Sequence, residues 1–247
     1  MMHSLHSLSP SPRVNMCLLV NCLKRLKSSQ QWLSRQKADP YVEKAKIYNY
    51  RCRSAFKLIE MNEKTQILKP GVTVIDLGAA PGSWTQVAVQ NTNSDGADPT
   101  KPRGKVLAID KLPIFPIEGA TIMSNMDFST TQAHDKVIAE LGDEKVDLVL
   151  SDMAPSATGV RELDKDRIIG LCYMALRFAA LVTKREGSLL FKVWDGQEVP
   201  ILVMDLERFY KQIKIIKPLA SRSESSEKFL LAKGFKGIQK PLQNQWN

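Results

Sequence analysis

Four aspartates stand where apolar runs end. Asp76 closes VTVI, Asp110 closes KVLAI, Asp127 follows ATIMSNM and Asp152 follows VDLVLS. Short β-branched and apolar runs bounded by turn residues read as buried strands. In a parallel sheet such ends open on one edge, where α/β folds bind ligands. Any one of these acids is more often a helix N-cap or a solvated loop residue. Four in series, the first leading into the turn Gly78-Ala79-Ala80-Pro81-Gly82, point instead to a bound molecule, because small residues let backbone N–H groups approach it closely. A fifth chemical residue is Lys192, set between Phe191 and Val193 in the run SLLFKVW. An ammonium in a buried strand must find a partner or lose its charge. Asp152 on a neighbouring strand is the obvious counter-ion, so a structural ion pair and a catalytic lysine are equally open readings.

The turn reads D-L-G-A-A-P-G and not the G-x-G-x-x-G of a dinucleotide site, which argues against a nicotinamide oxidoreductase. Asp76 places a carboxylate beside the ligand, which suits a molecule with a positive centre. S-adenosylmethionine, carrying a sulfonium and an α-ammonium, is such a molecule. The remaining carboxylates can hold its ribose diol and adenine amino group. In SDMAP, residues 151–155, Pro155 stops simple continuation of strand or helix and turns the chain across the pocket.

The elements that must position these groups alternate. A helix containing Ala55, Phe56, Leu58, Ile59 and Met61 precedes the first strand; further helices are predicted from about Ser83 to Val89, Thr131 to Leu141, Asp164 to Lys184 and Pro200 to Gln212. Gly187 reads as the C-cap of the long helix ahead of strand 188–194, and IKIIKP and KFLLAKGF supply the last strands. Residues 91–104, rich in Asn, Gly, Pro and Asp, read as a long, mobile surface loop. The alternation predicts an α/β fold with a doubly wound, mostly parallel sheet.

The 247 residues suit one domain with a short appendage, and no run approaches the length of a membrane span. The formal charge of +9 is unevenly spread. Residues 1–38 hold Arg13, Lys24, Arg25, Lys27, Arg35 and Lys37 with no acid, which leaves +3 for the rest. That composition fits an organelle-targeting presequence, with a secretory signal or a basic tail as rivals. The domain is therefore expected over 39–240, with a tail at 241–247. Cys17, Cys22, Cys52 and Cys172 form no C-x-x-C pair and no cluster with histidine, so neither a structural metal nor a disulfide framework is expected. Basic residues gather at 44–57, including Lys44, Lys46, Arg51 and Arg53, and again at 208–240, including Arg222. Such clusters neutralise phosphates, though a solvated face is their commoner fate. Tyr41, Tyr48 and Tyr50 among them could stack on bases or be half-buried core aromatics.

Taken together, DLGAAPGSW, SDMAP, FKVW and the approach YVEKAKIYNYRCRSAFKL closely resemble the FtsJ/RrmJ family of S-adenosylmethionine-dependent ribosomal RNA 2′-O-methyltransferases, from about Asp39 to Phe235. The resemblance implies a seven-stranded Rossmann-like methyltransferase fold and a Lys-Asp-Lys-Glu catalytic set at Lys57, Asp152, Lys192 and Glu227. It places S-adenosylmethionine on Asp76, Gly78, Pro81, Gly82, Ser83, Trp84, Asp110, Asp127, Phe128 and Asp152, and RNA on the basic residues named above. With the acid-free leader, it implies a mitochondrial matrix enzyme, expected as a monomer, that modifies a uridine ribose of large-subunit rRNA, either naked or in an assembling subunit. A non-catalytic assembly factor on the same fold is the alternative. Two positions depart from the pattern: Ser156 stands where Asn is usual, and Trp194-Asp195 stand where relatives often have Phe-Gln.

Overall fold

The computed structural model describes residues 34, 39–156 and 158–238, apart from the side chain of residue 161. The expected leader, save residue 34, and the tail lie outside them. The chain divides into two units, 1–43 and 44–247. In the first, the Asp39 carboxylate accepts the Tyr41 N–H at 3.1 Å, opening helix α1 (Pro40–Ile47). All that follows concerns the second unit.

Seven strands form one sheet: β1 (Thr73–Leu77), β2 (Lys105–Ile109), β3 (Ala120–Met123), β4 (Val146–Ser151), β5 (Thr183–Trp194), β6 (Tyr210–Ile216) and β7 (Glu227–Phe235). Their order is β3-β2-β1-β4-β5-β7-β6. Strands β1 to β5 pair in parallel, whereas β7 runs antiparallel to both β5 and β6. Helix α2 (Ala55–Thr65) precedes β1, and α3 (Ser83–Thr92), α4 (Thr131–Leu141), α5 (Arg161–Val182) and α6 (Glu198–Phe209) lie between successive strands.

Alternation along the strands separates two cores. Ile75, Leu77, Leu107, Ile109, Phe191 and Val193 pack with α4, α5 and α6 residues such as Val137, Cys172, Phe178 and Leu202. Val74, Leu148, Leu150, Leu190, Phe229 and Leu231 pack with Ala55, Leu58 and Met61 of α2 and Trp84, Val87 and Ala88 of α3. Lys192 continues the Leu190 row and Asp76 the Val74 row, so both belong to the α2/α3 side. Trp84 joins three elements there: its ring lies 5.6 Å from that of Phe229 and its indole N–H donates to the Ser54 carbonyl at 2.9 Å.

Two expectations fail for identifiable reasons. The long helix ends at Val182, and Gly187 lies inside β5. The β4/β5 register jumps from Val146↔Thr183 to Leu148↔Ser188, so residues 184–187 bulge out, with Glu186 at φ 66°. A Cβ on Gly187 would collide with Thr183 Cγ2 and stand 2.9 Å from the Asp147 and Lys184 carbonyl oxygens. Close packing, not helix capping, is what requires glycine. Segment 91–104, expected to be mobile, is held by Asn93: its side-chain amide donates to the Asp98 and Lys101 carbonyls at 2.8 and 3.1 Å and accepts the Asp98 N–H at 2.9 Å. Gly187→Ala should therefore destabilise the fold by about 1–3 kcal/mol, the cost of overpacking. Urea unfolding, with the midpoint falling at constant slope, is the check.

Candidate active site

The glycine turn follows β1 with Gly78 at φ 75° and Gly82 at φ 112°, backbone conformations that side chains resist. Protein neighbours also press on it. A Cβ on Gly78 would come 2.7 Å from Met153 Cγ, and one on Gly82 would come 2.6 Å from Arg51 Nη1 and 2.8 Å from Ile117 Cδ1. Asp110 ties this turn to the segment after β2: its carboxylate accepts the Ala80 N–H at 2.9 Å and the Leu112 N–H at 2.8 Å.

A cavity of about 240 Å3 opens where β1, β2 and β4 end. Of the positions expected to hold a cofactor, Gly78, Asp110, Asp127, Phe128 and Asp152 line it, together with Ala80, Ile109, Leu112, Met153, Leu171 and Met174. Asp127 lies in a turn four residues beyond the end of β3, where its carboxylate accepts the Ser129 N–H at 2.9 Å; that bond and a second to the Ser129 side chain hold its pKa low. Phe128 is buried against Phe178, ring centroids 4.8 Å apart. Pro81, Gly82, Ser83 and Trp84 do not line the cavity. Ser83 instead bonds Ser54 at 2.7 Å, and Trp84 serves the core described above. Leu171 and Met174 escaped sequence reasoning because only the folded position of α5 brings its i, i+3 pair over the cavity.

Asp76, expected at the strand end beside the ligand, is inside β1 and fully buried. Thr85 Oγ1 donates to its Oδ2 at 2.7 Å, while Oδ1 has no hydrogen-bond partner. Burial, reinforced by the nearby Asp152 and Asp110 carboxylates, pushes its pKa up to about 7 despite the opposing Thr85 bond.

The four expected catalytic residues form two ion pairs. Lys192, 8% exposed, donates to the Asp152 carboxylate at 2.9 Å and to the Asp152 carbonyl at 2.6 Å. Lys57 on α2 meets Glu227 at 2.6 Å, and both side chains are about nine-tenths buried. Ser221 Oγ donates to the same Glu227 carboxylate at 2.9 Å, a partner sequence reasoning missed. Sheet pairing places these pairs near each other, since Lys192 lies opposite Phe229 and Phe229 is two residues along the same face from Glu227. The Lys57 ammonium also sits 5.8 Å from the centroid of the Phe229 ring.

The basic residues expected on RNA separate. Lys44 and Lys46 are exposed, Lys44 lying 5.8 Å from the Phe56 ring centroid, and Arg222 is half-buried. Arg51, by contrast, donates at 2.8 Å to each of the Pro81, Phe115 and Pro116 carbonyls, and Arg53 donates to the Ala220 carbonyl at 2.7 Å. These guanidiniums fasten loops. Tyr48 and Tyr50 contact Phe56 edge-on; Tyr50 is half-buried, as one reading of these rings expects, whereas Tyr48 is exposed. Among the described residues, no group of three or more His, Cys, Asp or Glu could hold a metal ion, and no helix is long and apolar enough to cross a membrane.

A seven-stranded sheet with a lone antiparallel β7, a glycine turn after β1 and carboxylates around a cavity at the strand ends define the Rossmann-like methyltransferase class. Comparison with known proteins resolves the class further. The chain belongs to the FtsJ-like methyltransferase family, whose model matches residues 50–235. It is 54% identical over 217 residues to the mitochondrial rRNA methyltransferase 2 of Drosophila melanogaster, covering 88% of this chain and 87% of that one. The ribosomal RNA large subunit methyltransferase E of Xanthobacter autotrophicus is 46% identical over 213 residues, covering 86% and 81%. A crystal structure of a ribosomal RNA methyltransferase from Plasmodium falciparum matches with a TM-score of 0.65 at 27% identity, covering 76% of this chain and all of the other.

Two outcomes follow from the geometry. Arg51→Ala should release the loop after β2, raising amide hydrogen exchange across residues 111–117 by about tenfold or more while the β4 and β5 amides stay protected. Asp76 has a raised folded-state pKa, so the native state holds its proton more tightly than the unfolded chain. Its contribution is favourable at low pH and is lost as pH rises from about 4 through about 7. Asp76→Asn should therefore gain stability relative to the parent across that window, by up to a few kcal/mol, and the difference should level off above pH 7. Paired unfolding titrations from pH 4 to 8 check the sign; a flat difference would exclude it.

Proposed function

We propose that this protein methylates the ribose 2′-hydroxyl of a uridine in large-subunit ribosomal RNA, with S-adenosylmethionine as methyl donor, in the mitochondrial matrix. The carrying observation is Lys192: a nearly buried ammonium clamped by Asp152, which also lines the strand-end cavity. The names of the Drosophila and bacterial relatives support the substrate class, and the former supports the mitochondrion. The acid-free leader supports the same compartment. We take residues 39–240 as the methyltransferase domain, acting as a monomer.

The cavity suits the donor. Asp110 and Asp127 offer carboxylate oxygens to a ribose diol and an adenine amino group; Ile109, Leu112 and Phe128 offer apolar surface to the adenine ring. Asp152, on the cavity wall, places negative charge where a sulfonium and an ammonium would lie. When bound, S-adenosylmethionine supplies an electrophilic methyl group that a nucleophilic oxygen can take in one displacement.

The chain's own residues prepare that oxygen. A ribose hydroxyl is a weak nucleophile at neutral pH, so the site must stabilise the alkoxide that develops as its proton passes to water. The Lys192 ammonium has three N–H donors; two are engaged by Asp152, and the third serves the ribose oxygen. Lys57 and Glu227, buried as a pair, orient the ribose and balance the local charge. Exposed Lys44 and Lys46, with Arg222, hold flanking phosphates.

Lys192→Ala should slow single-turnover methyl transfer by about 10²-fold or more while S-adenosylmethionine affinity, measured by calorimetry, stays within a few-fold of the parent. Lys57→Ala and Glu227→Ala should lose rate rather than cofactor affinity, whereas Asp127→Ala should lose affinity. Near-normal turnover by the Lys192 variant would sink the role given to that lysine, whereas no turnover by the parent protein would leave a non-catalytic assembly role standing.

A further inference from the structure

Where β5 ends, two residues beyond Lys192, a second cavity of about 460 Å3 is lined by Gly159, Asp164, Lys165, Trp194, Asp195, Glu224, Ser225 and Ser226. It belongs to neither the cofactor cavity nor the charge set, yet it is fastened to the latter. Trp194 lies directly opposite Glu227 in the β5/β7 register, the Asp195 N–H donates to the Ser226 carbonyl at 2.8 Å, and Ser225 Oγ accepts the Glu227 N–H at 3.2 Å. Strand rise puts Trp194 roughly 7 Å along β5 from Lys192.

Covalent geometry dictates what occupies a space at that offset. In a nucleotide the 2′-carbon is bonded to the 1′-carbon, which carries the base, so a ribose oxygen held at Lys192 brings its own base close by. An enzyme working on one nucleotide of a structured RNA takes it out of the stack and gives the exposed base a new surface. Aromatic side chains are the usual surface. Trp194 is half-buried, packed against the core on the α4/α5/α6 side of the sheet and lining the cavity. The rim carries both signs of hydrogen-bonding capacity. Lys165 and the serine hydroxyls can donate to ring carbonyls. The Asp195 carboxylate, steadied by Lys228 at 2.7 Å, can accept from a ring N–H.

We propose that this cavity is the target-base pocket, in which the base of the reacting nucleotide stacks on Trp194. The inference rests on the RNA 2′-O-methylation proposed above. Trp194→Ala is expected to raise KM for an RNA spanning the target site by about 10- to 100-fold, the range of one lost stacking contact, when assayed below the variant's melting temperature, with S-adenosylmethionine affinity unchanged. Trp194→Phe, which keeps a ring, should recover most of the loss. The deciding arm uses the same RNA with an abasic ribose at the target. Parent and Trp194→Ala should then perform alike, because the contact removed by the variant is already missing. A Trp194→Ala variant with parental KM, or one whose defect persists in full on abasic RNA, overturns the base pocket. If the parent protein itself fails to methylate the intact RNA, the broader functional reading is what falls.

Discussion

A lysine ammonium in the interior of a seven-stranded sheet is the constraint that the rest of this structure answers. Lys192 stands among Leu190, Phe191 and Val193, and an unpaired charge there would cost several kcal/mol. Asp152 supplies both a carboxylate and a main-chain oxygen, but only because β4 and β5 are offset correctly. Continued from Val146↔Thr183 without interruption, the pairing would bring Asp152 opposite Leu189. The residues that bulge out before Ser188 advance the register by three and deliver Asp152 to Lys192. Glu186 in a left-handed conformation and a tightly packed Gly187, well away from any ligand, therefore decide whether the charged site exists.

The cavity beside that pair is negative by construction. Asp76 is flanked in the sheet by Ala108 and Leu150, and β2 and β4 deliver Asp110 and Asp152 just beyond. Burial first, and these two carboxylates after it, keep Asp76 from ionising as readily as an ordinary carboxyl. The same field that disfavours a third carboxylate favours a cation. A sulfonium donor would thus be attracted on entry, and it would lose that attraction once demethylation removed its positive sulfur charge, which eases exchange after each turnover.

Much of this was legible because strand ends are written in apolar runs followed by acids. Asp110, Asp127 and Asp152 fall on one edge by the sequence pattern alone, and the Lys192–Asp152 pair follows from the cost of burying charge. The neighbours of the glycine turn were less legible. Gly78 and Gly82 were read as room for a ligand, and both lie under protein groups, Met153 and Arg51 with Ile117. Glycine records that something approaches closely, not what. Arg51 and Arg53, expected on RNA, have partners that the sequence hides for a related reason. A guanidinium fork fits carbonyl oxygens as readily as phosphate, and the carbonyls of Phe115, Pro116 and Ala220 come from distant parts of the chain that local composition cannot bring into view.

The two cores finally explain why Asp152 has to be where it is. The cavity is covered by Leu171 and Met174 of α5, on one side of the sheet, while Lys57 approaches Glu227 from α2 on the other. A donor seated under α5 and a ribose held between α2 and β7 would reach the sheet edge from opposite faces, an arrangement compatible with the collinear oxygen, carbon and sulfur of an in-line displacement. Asp152 is the residue with a place in both settings, lining the cavity and binding Lys192. Its position at the end of a central parallel strand fixes the line between donor and acceptor with the rigidity of the sheet itself. Loops on either side can then vary in sequence, as at Ser156 and Trp194-Asp195, without moving that strand end.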